Sequence, residues 1–168
     1  MIVPANDFTP TIRIQAEPFD AGEEARRLRA GRTDVGALVS FEGLCRDHDG
    51  AAGPAVRAME LEHYPGMTEA SIAAMVTQAR ERWPLQGVTV IHRIGPLLPG
   101  DPIVFVAVTS VHRHAAFQAC AFLMDFLKTQ APFWKKETTD AGAHWVDARE
   151  SDDAALATWG IASTNATR

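Results

Sequence analysis

The chain has 168 residues, a formal net charge of −5, and 46% hydrophobic against 22% charged residues. That balance suits one globular domain and disfavours a general nucleic-acid binder, which carries an overall basic face. Its two cysteines, Cys45 and Cys120, lie in apolar runs without CxxC spacing and read as reduced core thiols of a cytoplasmic protein, and no apolar run approaches the roughly 18 residues of a membrane span.

Ile12 and Ile14 alternate with polar neighbours, which predicts a first strand over 11–16. Asp20 then caps a helix over 21–30, where Glu23 and Glu24 come early and Arg26, Arg27 and Arg29 come late, as the helix dipole favours. A β-rich run over 35–44 ends in Cys45, Arg46, Asp47 and His48, followed by a loop over 49–55 that is expected to be flexible. Alternation predicts a strand over 56–63, turned by Tyr64, Pro65 and Gly66. There His63, with Glu60 or Glu62 nearby, reads as a structurally satisfied histidine. Thr68 is expected to cap a helix reaching Trp83, since Ile72, Met75, Val76, Ala79 and Trp83 follow helical spacing. Strands over 88–94 and 103–109 are joined by GPLLPGDP, which reads as a stiff connector.

The segment over 111–137, VHRHAAFQACAFLMDFLKTQAPFWKKE, carries the densest chemistry. His112, Arg113 and His114 stand where a strand hands over to a helix, a place suited to an anion because the first backbone N–H groups of a helix have no partner within it. Two histidines with one residue between them lack a matched third ligand, so no metal is expected. From 115 to 127 nearly every residue is apolar, which reads as a buried or subunit-contacting helix. Gln118, Asp125 and Lys128 share one stripe of it, with Asp125 in reach of Lys128 at i,i+3. Pro132 stops the helix, and an extended segment follows in which Phe133, Lys135 and Glu137 share a face while Trp134 and Lys136 take the other. Lys135 with Glu137 is therefore a candidate pair, and Lys136 faces solvent.

A last strand is expected over 144–148, then an acidic stretch, with one domain over 1–160 and a disordered tail over 161–168. The element order, βαββαββαββ, argues an α+β fold with a largely antiparallel or mixed sheet. Lys128 and Lys135 beside apolar walls suit nucleophilic or acid–base work, since desolvation disfavours an ammonium; the alternative is that both snorkel from element ends and pair with Asp125 and Glu137. His112 and Arg113 suit an anion clamp. Composition and spacing go no further.

The blocks FEGLCRDH (41–48), LEHYPGM (61–67), VIHRIGPLLPGD (90–101), VTSVHR (108–113), FLMDFLKTQAPFWKKE (122–137) and WVDARESD (145–152), in order along most of the chain, resemble the large, catalytic subunit of molybdopterin synthase. The resemblance implies an α/β hammerhead-type fold with an additional antiparallel β subdomain, and a homodimer that binds two small β-grasp sulfur carriers to form a heterotetramer. It implies that the thiocarboxylated Gly-Gly end of the carrier enters a pocket and gives its sulfur to cyclic pyranopterin monophosphate, with no resident cofactor. Carried onto matching positions, it makes Lys128 and Lys135 the active-site lysines, Arg46, His112 and Arg113 anion-pocket residues, and Glu137 the neighbour of Lys135. The competing expectation is a non-catalytic docking module for such a carrier.

Overall fold

The computed structural model describes residues 7–48, 50–147 and 150–162. Two four-stranded sheets organise it. The first has the order β1 (Thr11–Gln15), β4 (Leu85–Arg93), β6 (Pro102–Ser110) and β2 (Ala37–Leu44); β1 runs parallel to β4 and the other pairs are antiparallel. The second has the order β5 (Gly95–Leu97), β3 (Val56–His63), β7 (Phe133–Thr139) and β8 (Gly142–Val146), antiparallel throughout. Around them stand α1 (Ala21–Arg29), α2 (Met67–Arg82), α3 (Arg113–Thr129) and α4 (Glu150–Ala157). The expected α+β class, with a mixed sheet and a separate antiparallel β subdomain, is the one observed.

Strands β4 and β6 are central and covered on both faces, which is why they read as near-continuous apolar runs. Their even-numbered residues Val88, Val90, Val104, Val106 and Val108 meet Ile72, Met75, Val76 and Ala79 of α2 and Phe122 and Leu123 of α3. Their odd-numbered residues Ile91, Phe105 and Ala107 face Phe19, Ala25 and Leu28 at α1. A third cluster, Cys45, Met59, Leu61 and Leu97, fills the second sheet's inner face and touches Ile103. Burying each large apolar side chain contributes about 1.5–3 kcal/mol, so the α2–α3 layer holds the fold's largest share of apolar burial.

Several sequence expectations need correction. Gly66, not Thr68, caps α2: its φ of 83° is a backbone conformation that costs a residue with a Cβ, and its N–H donates to the Glu69 carboxylate at 2.7 Å. Thr68, the second residue of the helix, accepts from the Tyr64 N–H and donates to the Pro132 carbonyl, both at 3.0 Å. GPLLPGDP is not connector throughout, because Gly95–Leu97 pairs with β3 at the sheet's edge, where a proline without an N–H is tolerated. The acidic stretch after β8 enters a fourth helix, α4. The loop over 49–55, apart from Asp49, which lies outside the described residues, is closed by a His48–Ala55 bridge and by the Val56 N–H donating to the Asp47 carbonyl at 2.6 Å. Of the expected tail, Ile161 packs against the main core, and 163–168 lie outside the described residues.

Candidate active site

Lys128 stands exposed in the last turn of α3, and Lys135 lies three residues into β7. The segment between them is fastened to the start of α2: the Pro132 carbonyl accepts from Thr68 Oγ1, and the Gln130 carbonyl accepts from Ser71 Oγ at 3.4 Å. Thr129 turns its hydroxyl back to the Asp125 carbonyl at 2.8 Å, a bond that tightens the helix end. The spacing of the two lysines is thus fixed by backbone acceptors, not by the lysines.

Alternation along β7 holds. Lys135 and Glu137 face Leu61 and Met59 of β3 in register, on the side of the Cys45 cluster. Lys135 Nζ lies 3.0 Å from Glu137 Oε1, with the carboxylate only 9% exposed. Lys135 thus sets a cation against a carboxylate that burial deprives of water. Lys136, on the opposite face, stands over the Trp145 ring at 5.6 Å from its centroid.

Arg46 follows β2 and lines an open hollow of about 610 Å³ together with Cys45, His48, Pro99 and Gly100. The hollow's lip is held by the Cys45 N–H donating to the Asp101 carbonyl at 2.8 Å and by the Gly100 N–H donating to the Cys45 carbonyl at 2.7 Å. Burial pushes the Cys45 thiol up, and the charges of Asp101 and Glu137 push it further while Lys135 opposes them. Through Cys45 the hollow therefore adjoins the Lys135–Glu137 pair. His48 Nδ1, 3.0 Å from the Asp47 carboxylate, holds that carboxyl below its usual range.

His112 and Arg113 are elsewhere in the chain. His112 is the N-cap of α3, and Arg113 its first residue, both exposed. Lys128 is fifteen residues beyond Arg113, about 22 Å along the axis at 1.5 Å per residue. Strand β2 gives the same answer: Ala37 pairs with Ser110 at the His112 end, and Leu44 pairs with Pro102 at the Arg46 end. Gly36 lets β2 begin beside this junction, since a Cβ there would lie 2.0 Å from the Val111 carbonyl oxygen. One chain thus brings Lys128, Lys135, Glu137 and Arg46 to one end of the first sheet and His112 with Arg113 to the other.

Two further expected pairings differ. His63 Nε2 lies 3.6 Å from Glu69 of α2; Glu60 and Glu62 project from the other face of β3, as alternation requires. The Asp125 carboxylate accepts from the Trp159 indole N–H at 2.7 Å. Sequence reasoning missed His92. Its ring stacks on Phe133 at 3.8 Å between centroids and 17° between planes, and burial, with Lys128 and His63 nearby, pushes it down to about 4. The only signal available was a polar residue closing an apolar strand. Among the described residues, no group of three or more His, Cys, Asp or Glu side chains is arranged to hold a metal ion, and no helix is long and apolar enough to cross a membrane.

Comparison with known proteins gives one answer. The family model described as MoaE protein matches residues 14–130. A relative from Ralstonia nicotianae, named molybdopterin synthase catalytic subunit, is 57% identical over 94% of this chain and 88% of its own length. One of the same name from Escherichia coli is 56% identical over 88% of this chain and 97% of its own. The solved molybdopterin biosynthesis MoaE protein from Burkholderia ambifaria superposes with a TM-score of 0.78 at 53% identity, covering 91% of this chain and 99% of that one.

Proposed function

Because the chain belongs to the MoaE protein family, we propose that it is the catalytic subunit of a molybdopterin synthase. It takes sulfur from the thiocarboxylated C-terminus of a small β-grasp carrier and transfers it to cyclic pyranopterin monophosphate. Two transfers give the dithiolene, and the cyclic phosphate opens. The observation that carries this reading is the Lys128, Lys135 and Glu137 group at one end of α3, beside the hollow that Arg46 lines, in a chain more than half identical to relatives named for that activity.

The chemistry suits these groups. The carrier's thiocarboxylate and the substrate's phosphate are both anions, and each needs cationic donors fixed before it arrives. Lys128, at the helix end, orients the thiocarboxylate and moves protons as sulfur leaves the carrier. Lys135, held in place by Glu137, stabilises the charge that develops on the attacked centre. Arg46 takes the phosphate from the hollow.

His112 and Arg113 join this pocket from a second copy of the chain. In support, their own α3 keeps them about 22 Å from Lys128. Large apolar side chains near their end of the molecule also face outward, with Val111 44% and Phe117 62% exposed, and Phe41, midway along the edge strand β2, is 41% exposed. A homodimer with one carrier at each of two composite pockets follows, and the word subunit in the relatives' name agrees with an assembly of unlike chains.

The test is direct. This protein, a thiocarboxylated β-grasp carrier and cyclic pyranopterin monophosphate are mixed and the products weighed by mass spectrometry. A product with two added sulfurs supports the synthase. Tight carrier binding without product would leave a docking module in its place.

A further inference from the structure

Strand β2 runs out of ladder before it reaches Arg46. It pairs with β6 as far as Gly43 and Val104, then shifts register so that Leu44 lies opposite Pro102, and a proline has no N–H to give. The chain just before Arg46 is anchored instead by the turn at 98–101. Both polar backbone groups of Cys45 are bonded to it: the N–H donates to the Asp101 carbonyl at 2.8 Å, and the carbonyl accepts from the Gly100 N–H at 2.7 Å. Arg46 follows directly, so that turn sets the direction in which its backbone enters the hollow.

The turn is held from within and from behind. Asp101 Oδ2 accepts from the Leu98 N–H at 2.9 Å, and the Asp101 N–H donates to the Leu98 carbonyl at 2.9 Å. Behind it lies Arg93, the last residue of β4 and only 7% exposed. Its guanidinium donates to the Ala16 carbonyl from Nε at 3.1 Å and from Nη2 at 3.0 Å, and to the Pro102 carbonyl from Nη1 at 3.2 Å. The same Nη1 lies 4.0 Å from Asp101 Oδ2. A planar fork holds several acceptors at once, as a lysine's point charge does not. One buried cation thus ties the ends of β1 and β4 to the start of β6, and it faces the carboxylate that closes the turn. The hollow is lined by Pro99 and Gly100 but by neither Arg93 nor Asp101, so any effect of these two on the chemistry passes through the turn.

We infer that Asp101, backed by Arg93, is a positioning residue for the substrate's phosphate: it holds the 98–101 turn against Cys45 and thereby fixes the backbone from which Arg46 reaches into the hollow. The inference rests on the reading of Arg46 as the phosphate's partner. An arginine grips a phosphate through two parallel N–H donors, a geometry that depends on where its backbone stands. It also gives a buried arginine at the end of β4 a part in substrate binding that it plays without touching the substrate.

Loss of the buried Arg93 would disturb three strand ends at once, so the turn residue carries the test. Asp101→Ala removes the acceptor for the Leu98 N–H, Asp101→Asn keeps one, and Arg46→Ala is made alone and together with Asp101→Ala. Sulfur transfer is followed at saturating thiocarboxylated carrier while cyclic pyranopterin monophosphate is varied, with carrier Kd and thermal melting measured for each variant. In Asp101→Ala the KM for the pterin should rise about 10-fold, the contribution of about one hydrogen bond, with kcat within about threefold of natural. Asp101→Asn should stay close to natural, and carrier Kd and melting should stay close to natural in both. Arg46→Ala should raise the same KM at least as far, and adding Asp101→Ala to it should raise it no further, because the two act through one contact. A natural KM in Asp101→Ala, an equal rise in Asp101→Asn, or the same rise with and without Arg46 overturns the inference and leaves Arg46 in place. So does a loss shared by kcat, carrier Kd and melting, which is what a residue that only supports the fold would give. A natural KM in Arg46→Ala removes the reading on which the inference rests, and the inference with it.

Discussion

Arg113 opens helix α3 and Lys128 sits in its last turn, about 22 Å away along the axis. Each end carries part of the cationic equipment that the chemistry needs, and no rotamer of either side chain spans the gap. A pocket that uses both ends must take them from two copies of the chain.

That relationship predicts complementation between inactive variants. Arg113→Ala and Lys128→Ala homodimers are each expected to be inactive. Mixed and allowed to exchange subunits, they form heterodimers in which one pocket carries both substitutions and the other none. With equal mixing, half the dimers are mixed and half their pockets intact, so about a quarter of natural activity returns. The check is a turnover assay before and after exchange; a mixture that stays inactive after demonstrated exchange contradicts the composite pocket.

Glu137 is buried against Lys135. Glu137→Gln keeps the shape but leaves Lys135 without its counter-charge, so turnover should fall by one to two orders of magnitude. Carrier affinity, measured by titration calorimetry, should change far less, because the loss is in charge placement during transfer.

His92 makes stability depend on pH. Its folded value, pushed down to about 4, lies below the ordinary 6.5. Between those values the unfolded chain binds more protons than the folded one, so stability is full above about 6.5 and falls as pH drops toward 4. Urea titrations across that window should show the loss. In His92→Phe the same titrations should give a flatter profile.

Trp159 follows the last helix and donates to Asp125 of α3 while packing edge-on against Trp83 and Phe122. Trp159→Phe should cost about 1–3 kcal/mol, the cost of a partly buried carboxylate losing its donor, and Trp159→Ala about 3–5 kcal/mol. Denaturant midpoints measure both.

Much of this arrangement was legible in the sequence. The alternation around Lys135 and Glu137 follows from the pleat alone, and the ends of α3 follow from a strand-to-helix junction and Pro132. What was hidden depends on distant residues. Helix α4 reads as an acidic loop because Leu156 is its one fully buried apolar residue; tertiary packing, not periodicity, makes it a helix. Glu69 meets His63 across the tight turn at 64–66, where the Gly66 cap draws the Glu69 carboxylate back, and His92 meets Phe133 only where the two sheets join. Strand β5 escaped because Gly95 and Pro96 are turn residues that an edge strand can still use. The separation of Arg113 from Lys128 is calculable from helix rise alone, since both lie on α3.

The most direct test of the site is the single-turnover rate of sulfur transfer by Lys128→Ala and Lys135→Ala, with circular dichroism confirming the fold of each. Both rates should collapse by several orders of magnitude while carrier still binds. A near-natural rate in either variant would contradict the account, because the transfer would then proceed without a group placed at its centre.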